Sequence, residues 1–155
     1  SDASLAALGR LASGKITENL GRLVTVATDD ISLHAKQAIV LGDGDFEYEQ
    51  SAAAVIGWTN PGYHVVWPVK FETPGKYSIL VNAATPVGGG GEFQVKLAGT
   101  VNVAKTGEGD KFQEISAGSV EIREAGTYRL VVIGVNISEQ EEQLMQLRAV
   151  SLKAE

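Results

Sequence analysis

The sequence contains no cysteine. A disulfide frame, a thiol nucleophile and a thiolate metal site are therefore excluded, although the compartment is not fixed, because many exported proteins manage without cysteine. Histidine is nearly as scarce, with His34 and His64 the two in the chain. A nucleophilic hydroxyl needs a base beside it, and no G-x-S-x-G elbow accompanies either ring, so a hydrolase triad lacks its parts. A metal-holding double-stranded barrel gathers several histidines, which two isolated ones do not supply. Positive charge is also short, with 13 Lys and Arg against 19 Asp and Glu and a net charge of −6. The cations are scattered singly, so the basic face that displaces counterions from phosphates is missing and nucleic acid is excluded as a partner. Apolar runs such as residues 130–133 fall far short of the ~20 residues that span a bilayer, which argues against a membrane protein. The first residues, SDAS, carry neither Met nor a basic-then-apolar leader, as expected of a mature form or of a piece cut from a larger protein.

What is present is a globular composition. Hydrophobic residues make up 44%, charged residues 21%, and there are 18 glycines, which fits one domain with a sizeable core. Two regimes follow each other along the chain. In the first, Leu5, Leu8, Leu11, Ile16, Leu20 and Leu23 fall near helical spacing. Asp2 or Ser4 can cap its start, while Gly9, Gly14 and Gly21 each cost about 1 kcal/mol inside a helix. Short helical turns plus a connector are expected over 1–28, docking on this domain or on a neighbouring one.

From residue 29 to 155 the period is two. Tyr63, Val65, Trp67, Val69 and Phe71 are apolar at odd positions, against His64, Lys70 and Glu72 on the other face. Tyr77, Ile79 and Val81 repeat the pattern, as do Phe93, Val95 and Leu97, Val120 and Ile122, and Tyr128, Leu130 and Val132. Glycine, proline and Asn–Pro–Gly breakers separate them. TPGKYSILV at 73–81 echoes EAGTYRLVV at 124–132, as two strands entering a sandwich in the same way would. This predicts an all-β antiparallel sandwich or barrel with one face of each sheet buried.

Aromatic residues are few, yet residues 56–67, IGWTNPGYHVVW, hold two Trp and a Tyr. Trp67 shares the parity of Val65 and Val69 and is expected in the core. Tyr63 stands at the strand mouth, in core or rim. Trp58, between Gly57 and the Asn–Pro–Gly turn, is expected in a loop, where it either stacks a ligand or packs beneath the turn.

The acids of GDGDFEYE, namely Asp43, Asp45, Glu47 and Glu49, alternate, so on a strand they share one face. They read as a solvated row or as part of a calcium site, and a one-sided row does not make the facing carboxylates of a glycosidase. The glycine run 88–91 lacks the Lys–Ser/Thr of a phosphate loop and is expected to be a flexible hairpin connection.

The succession LHAKQAIVLG, YEQSAAAVIGWTNPGYHVVWPVKFETPGKYSILVNAA, FQVKLAG, KTGEGDKFQEISAGSVEI, AGTYRLVV and LMQLRAVSLK resembles the galactose-binding-like jelly-roll modules. It is most similar to carbohydrate-binding modules of the family 6 and family 35 type, in variants appended to bacterial alpha-L-fucosidases and sulfatases. The resemblance spans roughly residues 31–153 and implies a non-catalytic sandwich that holds a carbohydrate-active enzyme near glycans. It implies a structural calcium held by an acid in an A-E-x-A segment and an Asp near the last strand. Lys36 and Arg148 stand at those positions, so no metal is expected. It also implies a stacking Trp in a TG-W segment, where this chain has Glu108, Gly109 and Asp110.

The expectation is an antiparallel β-sandwich of jelly-roll, galactose-binding-domain-like type over 29–155, behind a short helical or irregular lead over 1–28. Its function is expected to be glycan binding by a secreted or periplasmic module tethered to a catalytic domain, through Trp58, Asn60, Tyr63, Asn82 and Asn136, without cofactor. The alternative is a structural sandwich that packs on its catalytic neighbour and binds no sugar.

Overall fold

The computed structural model describes residues 15–16, 25–27, 30–138 and 142–155. The helical turns expected over 1–28 lie outside these residues, apart from two short strands. In chain order the elements are β1 (Lys15–Ile16), β2 (Thr25–Ala27), β3 (Asp30–His34), a 3₁₀ turn η1 (Ala35–Gln37), β4 (Ile39–Leu41), β5 (Glu47–Glu49) and β6 (Ala54–Ile56). There follow β7 (His64–Phe71), β8 (Gly75–Ala84), β9 (Gly91–Leu97), β10 (Thr100–Lys105), β11 (Gln113–Ile122), β12 (Gly126–Ile137) and β13 (Gln146–Ala154).

They form two sheets. Sheet A runs β10-β9-β12-β7, with β4 and β2 sharing the far edge of β7 and β1 added to β12. Sheet B runs β11-β8-β13, continued by β6 and β5, with β3 also on β13. Among the described residues every pairing is antiparallel except β2 with β7. From β7 onward the chain alternates between the sheets and stays in one only for the β9–β10 hairpin. That alternation makes the sandwich a jelly roll, as expected.

Period two explains the core. Val65, Trp67, Val69 and Phe71 of β7 are all buried, as are Tyr77, Ile79 and Val81 of β8 and Phe93, Val95 and Leu97 of β9. Burying each such aliphatic or aromatic side chain contributes about 1.5–3 kcal/mol, so facing rows of them are enough to hold the sheets together. The sequence echo has a structural counterpart. Tyr77 enters sheet B and Tyr128 enters sheet A, and their rings flank Phe71 with centroids at 5.2 and 6.0 Å. Pro68 lacks an N–H, and it lies between the stretches of β7 paired to β4 (64–66) and to β2 (69–71), where that edge has no partner.

Two expectations fail locally. The acids at 43–49 do not form one row, because β5 begins only at Glu47 and Gly44 turns the chain with φ +63°. The glycine run is not a hairpin, since it carries the chain from β8 in sheet B to β9 in sheet A. It is firmly tied: Gly89 N–H donates to Pro86 O at 2.8 Å, Gly90 N–H to Gln143 O at 3.0 Å, and Ser138 N–H to Gly90 O at 2.8 Å.

Candidate functional site at the loop end

The long connections 42–46, 57–63, 85–90 and 106–112 gather at one end of the sandwich. Trp58 sits beneath them. It is 0% exposed, its ring meets Phe46 edge-on at 5.0 Å, and its carbonyl accepts from Leu144 N–H at 2.8 Å. A ring with no accessible face offers no platform to a sugar, so of the two readings of Trp58 the packing one stands and the stacking one is corrected. Gly57 makes this possible. It takes φ +77°, and a Cβ there would lie 2.2 Å from Asp45 O, so the 57–58 backbone closes directly on the 43–46 turn. Its N–H donates to Gln143 Oε1 at 3.3 Å. The indole Nε1 of Trp58 is buried without a hydrogen-bond partner.

The other four candidates do not converge on one surface. Asn60 is exposed and its Oδ1 accepts from Gly62 N–H at 2.8 Å, which closes the turn and leaves its amide N for a ligand. Tyr63 is half-buried and stacks on Phe46 at 4.9 Å. Asn136 is exposed near the end of β12 in sheet A, where its Nδ2 donates to Glu92 at 3.3 Å. Asn82 belongs to the other sheet, on the outward parity of β8, opposite Glu114 of β11 and Ala149 of β13. Trp58, Asn60 and Tyr63 therefore belong to one loop, while Asn82 and Asn136 belong to different sheets.

Beside Asn82 the structure assembles a feature that sequence reading took only as a missing metal site. The register of β13 against β8 shifts between Leu147 and Ala149, which sets Arg148 in a bulge. Its guanidinium carbon lies 3.5 Å from the centroid of the Phe112 ring, and Nη2 donates to Ala52 O at 2.9 Å. The Arg148 Nε and the Asn82 Oδ1 are both buried without a partner. Buried polar atoms are nearly always satisfied, so these two, like the Trp58 Nε1, mark places where an enclosed water would complete the hydrogen bonding. The signal in the sequence was Phe112, an aromatic residue just past the TGEGD loop. That loop is itself fixed, with Thr85 Oγ1 donating to Gly107 O at 2.8 Å and Gln113 Nε2 to Glu108 O at 2.7 Å.

The residues at the expected calcium positions do not fit the ion. Arg148 fills its place with a cation, Lys36 is exposed, and among the described residues no three metal-ligating side chains cluster. The histidines also stand apart, His34 at the end of β3 in sheet B and His64 at the start of β7 in sheet A. His34 Nδ1 accepts from Lys36 N–H at 3.0 Å, and His64 Nδ1–H donates to Gly62 O at 3.2 Å.

Residues 47–155 match the profile of a protein family described as "Domain of unknown function (DUF5077)". No curated protein is similar to the chain in sequence. Among solved structures, the fold is similar to a beta-(1,4)-mannanase of Podospora anserina, GH26-CBM35, with a TM-score of 0.64 and 17% identity. That match covers 82% of this chain and 28% of the mannanase. A family 35 carbohydrate binding module from Clostridium thermocellum gives a TM-score of 0.61 and 11% identity, covering 81% of this chain and 98% of the module. An alpha-L-fucosidase from Vibrio sp. strain EJY3 gives 0.52 and 12%, covering 84% of this chain and 24% of the fucosidase. The fold is that of carbohydrate-binding modules, as the sequence resemblance implied.

Proposed function

The chain belongs to the family described as Domain of unknown function (DUF5077), and from its sandwich fold we propose that it is a non-catalytic glycan-binding module of a secreted or periplasmic carbohydrate-active enzyme. The observation that carries this reading is the similarity of the whole two-sheet sandwich to a family 35 module, which the chain covers to 98%. Binding is weak and made mainly of hydrogen bonds. The free amide of Asn60 and the edge of Tyr63 meet sugar hydroxyls at one rim, and the half-buried Asn82 meets them on sheet B. An asparagine amide both donates and accepts, which suits a hydroxyl.

A second reading, a structural sandwich that packs on a tethered catalytic domain without touching sugar, is favoured by the full burial of Trp58. A glycan array probed with the wild-type chain, with Tyr63→Ala and with Asn82→Ala separates the two. The first reading expects binding that at least one of the two substitutions weakens. Absence of binding to every glycan removes it and leaves the second.

A further inference from the structure

Sheet A ends at β10, and among the described residues no strand pairs beyond it. The hairpin that carries β10 fixes the direction of each of its backbone groups. Ala98 and Gly99, at φ +52° and +78°, make a two-residue turn that sets Leu97 opposite Thr100. At the other end of the ladder Thr106 N–H donates to Gly91 O at 2.9 Å. Hydrogen-bonded partners recur at every second residue of an antiparallel pair, so Thr100, Asn102 and Ala104 bond to β9. Val101, Val103 and Lys105 turn their N–H and C=O the other way, off the edge of the sheet. Their side chains point away from the core, and Val101 and Val103 are 51% and 56% exposed.

Open edges are commonly blunted by a proline, a bulge or an inward charge. β10 contains no proline and pairs with β9 without a shift of register. Its inward polar side chain, Asn102, is neutral and donates to Ser119 O of sheet B at 2.9 Å. The edge reads Val101–Asn102–Val103, the same in either direction. A two-fold axis through Asn102 therefore sets Val101 opposite Val103 of a second copy, and Val103 opposite its Val101. Each of these two pairs exchanges both of its backbone hydrogen bonds, and the four valine side chains form one cluster on the outer side. The charges agree with this register. The row through Val101 ends in Lys96 on one side and in Gln94 of the second copy on the other, so no like charges meet in it. Lys105 falls opposite Gly99 of the second copy. Gly99 and Thr100 line one depression with Glu121 and Glu124, two carboxylates against the single guanidinium of Arg123.

We propose that β10 is a docking edge for a second copy of this chain, which adds its own β10 antiparallel and continues sheet A across an axis at Asn102. The contact is one strand wide, below the ~1,200 Å² of a stable complex, so the dimer is weak, with a dissociation constant on the order of 0.1–1 mM. The two β10 strands run in opposite directions, which sends the 106–112 connections of the two copies to opposite ends of the dimer. The pair is therefore a bridge between two targets and not a double grip on one surface. This pairing is independent of whether the loop end binds sugar.

Sedimentation equilibrium of the full chain, from about 10 µM to about 2 mM, reads the association by mass action. The expected mass rises from the 16.3 kDa of one chain toward twice that value as concentration increases. Val103→Pro removes an N–H that β9 does not use, so the hairpin ladder stays intact while two of the four inter-chain hydrogen bonds are lost. Association should weaken at least about tenfold. Val101→Lys with Val103→Lys sets like charges opposite each other in both pairs and should also abolish the dimer. Val101→Lys with Val103→Glu sets Lys opposite Glu in this register and should keep it. Both positions are exposed, so the fold tolerates the charged residues, and these two variants decide the outcome by themselves should the proline unfold the strand. A mass that stays at one chain throughout, a dimer that survives the lysine pair, or a dimer lost in the Lys–Glu variant would each overturn the proposal, the second by placing the contact on another face.

Discussion

The two tryptophans are buried almost equally, at 0% for Trp58 and 1% for Trp67, and differ in the fate of one atom. The indole N–H of Trp67 donates to His34 O at 3.0 Å, whereas that of Trp58 has no partner. Replacing each by Phe isolates this difference. At either position the smaller ring forfeits about 1–2 kcal/mol of apolar burial and packing. At position 58 the change also deletes an unsatisfied buried donor, which relieves about 1–3 kcal/mol. The terms offset, and Trp58→Phe is expected to lie within about 1 kcal/mol of wild type. At position 67 the change deletes a formed hydrogen bond on top of the lost burial, so the loss is about 2–3 kcal/mol. Urea titration reads the difference as a lowered midpoint at constant slope, and a thermal scan as a fall of roughly 5–15 °C for Trp67→Phe. Trp58→Ala, which empties the site, costs about 3–5 kcal/mol. A Trp58→Phe protein less stable than Trp67→Phe, or a Trp58→Ala protein as stable as wild type, would refute the assignment of Trp58 to the core with an idle N–H.

Gly57→Ala meets both a positive φ and the Asp45 carbonyl, and should cost at least about 2–4 kcal/mol in a denaturation experiment. Gly44→Ala, at φ +63° with nothing within 4 Å of the added carbon, should cost only about 1 kcal/mol, and equal costs would show that the 57–58 backbone does not close on the 43–46 turn. Arg148→Ala leaves Ala52 O and Phe112 without their cover and should destabilise by about 2–4 kcal/mol, with Arg148→Lys recovering less than half because an ammonium cannot lie flat on the ring while donating sideways. Because Arg148 holds its place with a positive charge, calcium at about 10 mM should leave the melting temperature unchanged, and a rise that grows with the logarithm of calcium concentration would contradict this.

Strand parity was legible because it is local. Tyr63 to Phe71 carries its inside and outside in alternate letters, and Trp67 went to the core accordingly. Burial of Trp58 was not local. It depends on Phe46, twelve positions upstream, and on Leu144 N–H, which belongs to a segment brought over by the last crossover. No spacing rule within 56–67 contains that information. The acid row failed for a similar reason. Alternation at 43–49 implies a shared face only if a strand runs through it, and Gly44 stops the strand before Glu47. The glycine run at 88–91 shows a third limit, since a turn signal does not say in which sheet the next strand will pair. The candidate site inherits all three. Its five residues were chosen from loops and strand ends, and the fold sends them to one loop and two sheets.

One feature of sheet A was nonetheless written in the sequence. Strands of a sheet with one wet face alternate, as FQVKL in β9 does. The stretches VVWPV at 65–69 and LVVI at 130–133 do not alternate. Continuous apolar runs of this kind belong to strands covered on both faces. β7 and β12 are neighbours at the centre of sheet A, with Val66 opposite Val131 on the side away from the core. Their sequence therefore demands a second apolar layer that the sandwich itself does not provide.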